Sequence, residues 1–126
     1  MKNSHSAEQA TLIITTQPND ANQKGDIFGG WLMSNMDIAG AIAAKNQANG
    51  SIATVAVNNL QFINPLFVGD LVSFYTTIKA IGKSSITVDI KATANRHWDL
   101  STQAIEIGEA EFVYVAISEP GIKRQL

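Results

Sequence analysis

The chain has no cysteine and only two histidines, His5 and His97. Without cysteine there is no disulfide framework, no thiolate nucleophile and no cysteine-based zinc site. Two scattered histidines do not make a His-rich metal site, and no carboxylate cluster takes their place. An excess of one charge is also missing, since 9 Lys and Arg against 11 Asp and Glu leave a net charge of −2. No basic run is longer than Lys123-Arg124, so the electrostatic footprint of a nucleic-acid binder is absent. The longest apolar stretch, Trp31 to Ala44, is broken by Ser34, Asn35 and Asp37 and falls short of the ~20 residues a membrane span requires. The N-terminal MKNSHSAEQA is polar and lacks the apolar segment of a secretory signal. A cytoplasmic protein with neither membrane nor nucleic acid as partner is expected.

What is present is a chain of 126 residues, 45% hydrophobic and 16% charged, enough for one domain with a single sizeable core. Residues 1–10 are expected to fray, residues 11–118 to form the domain and residues 119–126 to be a tail. The β-branched segment Thr11 to Thr16 reads as a first strand, and QPNDANQKGD after it as a loop. A helix is predicted from Gly30 to Asn49, apolar nearly all round and therefore buried. Asn49-Gly50 should stop it, with the glycine in the left-handed conformation. Strands are then predicted at Ile52 to Ile63, Leu71 to Ile81, Ser85 to Asn95 and Gln103 to Ile117. In the third of these Ile86, Val88, Ile90, Ala92 and Ala94 alternate with Thr87, Asp89, Lys91, Thr93 and Asn95. One face is therefore wet and the other covers something apolar. The short turns leave no room for βαβ crossovers. An α+β architecture follows, one antiparallel sheet curled around a single central helix.

Asp37 interrupts that apolar helix, and aspartate is almost never fully buried without a partner. Its neighbours on the same helical face, Met33, Ser34, Gly40 and Ala41, are flexible or small and are expected to leave room for a ligand. The helix opens on Phe28-Gly29-Gly30, so its first turn presents unpaired N–H groups with no bulky side chain before them. Such a turn can hold an oxyanion or a phosphate.

Asp20, Asn22, Gly25, Asp26, Phe28, Gly29, Gly30, Leu32, Met33, Met36 and Asp37 meet a spaced pattern that resembles the YciA-type acyl-CoA thioesterases of the hot-dog fold. The resemblance continues through TVAVNNLQFINPLFVGD (Thr54 to Asp70), GKSSI (Gly82 to Ile86) and EAEFVYVAI (Glu109 to Ile117), covering the chain from residue 12 to about 118. Asn58 and Gly108 depart from it, standing where an acid and a threonine are usual. The resemblance implies a long helix wrapped by an antiparallel sheet, and hydrolysis of acyl-CoA to a free acid and coenzyme A without a metal or redox cofactor. It gives Asp37 the role of general base or nucleophile, Asn22 that of orienting water or thioester, and the Gly29 and Gly30 N–H groups that of oxyanion donors.

Asp37 stands seven residues beyond Gly30, about 10 Å along the axis at ~1.5 Å per residue. That is too far for both to touch one carbonyl carbon within one protomer. The resemblance accordingly implies a homodimer as the minimal active unit, Asn22 and Gly30 of one subunit facing Asp37 of the other, with further assembly into a trimer of dimers. Phe28, Met33, Met36 and Thr54 are candidates for substrate contact, with Met33, Met36, Ile38, Leu60 and Phe62 setting acyl length. Met33 and Met36 serve equally well as core. Lys83, Ser84 and Ser85 offer a cation and two hydroxyls to the nucleotide phosphates, and Arg96 and Lys79 are weaker candidates. Two alternatives stay open. One is a non-catalytic acyl-CoA binding module; the other is a hydratase on the same fold, whose Asp-His pair neither His5 nor His97 supplies from the helix.

Overall fold

The computed structural model describes residues 8–126; the fraying expected of residues 1–10 and the site of His5 fall wholly or largely on residues 1–7, outside the described residues. After β1 (Leu12–Thr15) a polar loop leads into the single long helix, α1 (Gly29–Ala48). Strands β2 (Ile52–Phe62), β3 (Leu71–Ile81), β4 (Ser85–Asn95) and β5 (Ile105–Glu119) follow, and a short β6 (Ile122–Lys123) ends the chain. The strands form one antiparallel sheet in the order β1-β3-β4-β5-β2, with β6 paired to the end of β5. The expected strand at Gln103 to Ile117 starts and ends two residues later, and the tail folds back as β6.

The sheet curls over α1, which packs mainly on the central strand β4. Ile86, Val88, Ile90, Ala92 and Ala94 all point inward and are buried, as their alternation predicts. They meet Leu32, Met36, Ala39 and Ala44 of the helix, with Val72, Phe74, Ile107, Phe112 and Tyr114 from the flanking strands. Each large side chain so buried contributes about 1.5–3 kcal/mol, and this face holds the helix in place.

Two expectations are corrected here. The helix is buried on one face only, for Ile38 and Ile42 are 49% and 40% exposed. The sheet reaches round one side of α1, and β2 beside it is an edge strand whose Val55 is 55% exposed. The helix also ends differently. Asn49, not Gly50, takes the left-handed conformation (φ 56°, ψ 43°), its N–H donating to the Lys45 carbonyl at 2.8 Å. Asparagine tolerates that region. Gly50 instead lies against Arg124, and a Cβ there would come 2.7 Å from its Nη2. That guanidinium donates to the carbonyls of Ala48 (3.1 Å) and Ile117 (3.0 Å). The C-terminal segment thereby ties the end of α1 to β5.

Candidate active site

Asp37 lies in the middle of α1, half-buried, and faces the start of β2. Its Oδ1 accepts from Thr54 Oγ1 at 2.8 Å and from the Tyr114 hydroxyl at 3.1 Å. The same hydroxyl donates to the Asp37 main-chain carbonyl at 2.9 Å. Thr54 and Tyr114 are direct cross-strand partners on β2 and β5, so sheet register brings both donors to one carboxylate oxygen. Tyr114 is fully buried. Burial first, then the negative charge of Asp37 and its hydrogen bond, push the phenol well above its ordinary titration range.

Tyr114 was not among the residues expected from the sequence. The alternation of Phe112, Tyr114 and Ala116 marks it as inward-facing, but only the register between β2 and β5 brings it to Asp37. It also corrects the expectation of ligand room at Gly40. A Cβ on Gly40 would lie 2.2 Å from the Tyr114 oxygen, so the space left by that glycine is filled by the tyrosine. Open space lies instead on the other side of Asp37, a cavity of about 310 Å³ lined by Gly30, Met33, Ser34, Asp37, Thr54, Val57 and Phe112.

A second cavity, of about 350 Å³, lies around the start of the helix, between Asn22, Phe28, Gly29, Phe62 and Leu66. The Asn22 carbonyl Oδ1 accepts from the N–H groups of Lys24 (2.8 Å) and Asp26 (3.1 Å). Both partners are donors, which fixes the amide's orientation and leaves Nδ2 free of protein partners among the described residues. Trp31 N–H turns back to the Phe28 carbonyl at 3.0 Å, while the N–H groups of Gly29 and Gly30 have no acceptor within the helix. A Cβ on Gly29 would come within 3.1 Å of the Phe62 ring, whereas one on Gly30 would meet nothing within 4 Å. The first glycine seats an aromatic lid against the helix end, and the second leaves open space. The donors Asn22 and Gly29 thus line one cavity and Asp37 another, with Gly30 on the side of Asp37.

The remaining candidates divide. Phe28 and Met33 line these cavities. Met36 is fully buried in the core and opens on neither. Lys83, Ser84 and Ser85 form the β3–β4 turn, tied by the Gly82 N–H to the Ser85 carbonyl at 2.8 Å, and join neither cavity in the protomer. Lys79 is paired with Glu111. Arg96 is paired with the buried Asp70, lies 4.8 Å over the Phe67 ring and donates to the Pro65 carbonyl at 3.1 Å. Its guanidinium braces the loop before β3. His97 is exposed on a one-turn 3-10 segment, Arg96–Trp98.

Comparison with known proteins adds family evidence to this geometry. A thioesterase superfamily model matches residues 24–97. The acyl-CoA thioester hydrolase YciA of Escherichia coli strain K12 is 40% identical, the match covering 100% of this chain and 98% of that protein. The hexameric thioesterase y2039 of Yersinia pestis superposes with a TM-score of 0.86 at 43% identity, over 94% of this chain and 95% of its own. A hexameric hotdog fold thioesterase of Campylobacter jejuni superposes with a TM-score of 0.86 at 35% identity, over 94% of this chain and 90% of its own. No helix among the described residues is long and apolar enough to cross a membrane.

Proposed function

Because the chain belongs to the thioesterase superfamily, we propose that it hydrolyses acyl-CoA thioesters to a free carboxylic acid and coenzyme A. The observation that carries this reading is the division of polar groups between two cavities. One is lined by the Asn22 amide and Gly29, with Asp26 beside them, and the other by Asp37, already oriented by hydroxyls, with Gly30. Thioester hydrolysis needs both at one carbon. Two protomers placed with α1 beside α1 supply both, twice, and the hexameric state of the Yersinia and Campylobacter relatives supports assembly. The working unit is then a dimer, and three dimers make the hexamer.

In this arrangement the thioester oxygen faces the N–H groups of Gly29 and Gly30 and Nδ2 of Asn22, where negative charge develops. Asp37 of the partner subunit either takes a proton from the attacking water or attacks the carbonyl carbon itself. The carbon–sulfur bond then breaks, and the thiolate leaves and is protonated as coenzyme A. On the direct route the acyl group is left on Asp37 as a mixed anhydride, which water hydrolyses to release the acid and restore the carboxylate. The reaction uses water as its only co-reactant, and no cofactor is assigned to it. Lys83, Ser84 and Ser85 are assigned to the nucleotide phosphates. Oxygen-18 water in a single turnover separates the two chemistries. Label carried into Asp37 identifies direct attack, with the anhydride opened at the Asp37 carbon, and excludes simple general-base action.

Thiol release from acyl-CoAs of graded chain length tests the reading, with Asp37→Asn and Asn22→Ala beside the wild type. Both variants are expected to lose turnover while keeping the fold. Mixing the two after reversible dissociation should restore about a quarter of wild-type turnover, because half of the dimers are mixed and each mixed dimer holds one intact site. No recovery on mixing, with assembly demonstrated, would place both groups in one protomer. Tight acyl-CoA binding without turnover in the wild type would point to a binding module instead.

A further inference from the structure

The Tyr114 hydroxyl carries one hydrogen yet lies against two acceptors of the same residue, Oδ1 and the main-chain carbonyl of Asp37. The contact is therefore a forked donation from one phenol. Thr54 Oγ1 donates to the same Oδ1, so this oxygen has two donors, while Oδ2 has no protein partner among the described residues. The asymmetry depends on Gly40. A side chain there would overlap both the Tyr114 oxygen at 2.2 Å and Ile90 Cδ1 at 2.7 Å. Glycine is poor in a helix interior, but here it opens a notch through which a residue of the sheet reaches the helix backbone.

We infer that Tyr114 is a positioning residue for the hydrolysis: seated in the Gly40 notch, it ties Oδ1 of Asp37 to that residue's own helical turn and aims Oδ2 at the substrate. The inference rests on Asp37 being the reacting carboxylate proposed above. An aspartate side chain turns about two bonds, and rotation about either displaces Oδ2. Misplacement of a reacting atom by about 1 Å can cost roughly a hundredfold in rate. Thr54 alone is a weaker restraint, since it sits exposed on the edge strand β2. Tyr114 is immobilised, its ring fully buried and packed beside Phe112 at 6.3 Å between centroids. A phenol is protonated throughout the neutral range in any case, so it remains a donor there, and the raised titration carries this into alkaline pH.

Steady-state kinetics of the wild type, Asp37→Asn and Tyr114→Phe on the same acyl-CoA series test this. Phenylalanine keeps the ring and removes the donor. The expected result is a fall in kcat of roughly tenfold to a hundredfold with KM within about twofold of wild type, at unchanged oligomeric state. Wild-type kcat in Tyr114→Phe, with Asp37→Asn inactive, overturns the positioning role and leaves the hydrolase reading standing. A wild type without turnover on any acyl-CoA removes that reading and this inference with it. Where Tyr114→Phe does not fold, 3-fluorotyrosine at the same position alters the donor's strength and keeps the hydroxyl. A changed kcat at unchanged KM supports the role, and unchanged kcat overturns it.

Discussion

At Gly30 the geometry separates stability from chemistry. A methyl group there meets nothing within 4 Å and suits a helix better than hydrogen does. Gly30→Ala is therefore expected to leave the melting temperature unchanged or slightly higher while lowering thiol release, because the methyl stands in the space proposed for substrate. Equal activity in the two proteins would move the substrate away from this turn. Tyr114 makes a second residue-scale prediction. Its titration is raised on folding above the ordinary value of 10.0, so the folded state holds the proton at pH values where the unfolded chain releases it. The contribution is whole below pH ~10 and is lost progressively as pH rises above that value. Alkaline urea unfolding should show a decline in stability that Tyr114→Phe lacks. Asp37 stood out in the sequence as an acid within an apolar helix, and Asn22 through the family resemblance. Tyr114 did not, because its partner lies 77 positions away along the chain.

Among the elements, α1 shows which local signals suffice. Its start at the glycine pair and its stop near Asn49 follow from backbone chemistry within a few residues. The anchoring of its last carbonyls by Arg124 comes from the other end of the chain and has no local signal. Arg124→Ala should lower stability by about 1–2 kcal/mol, the loss of a charge-assisted donor to partly buried carbonyls. Urea unfolding would register this as a lower midpoint at unchanged slope. The alternation along β4 was sufficient to name every inward residue, since that strand is central and wet on one face. Strand β2 offered no such pattern. It is an edge strand with register shifts between Thr54 and Ala56 and between Asn58 and Gln61, and Asn59 adopts a left-handed φ of 55°. A bulge reverses the alternation that periodicity depends on.

For the molecule as a whole, the protomer leaves apolar side chains of α1 and β2 exposed, Ile38, Ile42, Val55 and Val57 among them. Val57 lines the Asp37 cavity, so the surface that needs covering adjoins the site that needs completing. Ile42→Lys combined with Val55→Lys places charge on this face away from the cavity linings. The double variant is expected to dissociate in light scattering and to lose turnover while its circular dichroism remains that of a folded chain. An assembled and fully active double variant would put the subunit contact elsewhere.

The sequence alone determined the elements and the sheet's inner face, because helix caps, turn residues and the period of two act over a few residues. It also placed Asp37 within the apolar helix and the glycine pair at its start, and the family resemblance singled out Asn22 as a further candidate. Tertiary structure decided which oxygen of Asp37 is held and by what, that the space at Gly40 belongs to a tyrosine, and that Arg96 braces a loop. It decided as well that the helix is covered on one face only. These outcomes depend on register between strands and on side chains meeting from distant parts of the chain, and neither is encoded in a local pattern.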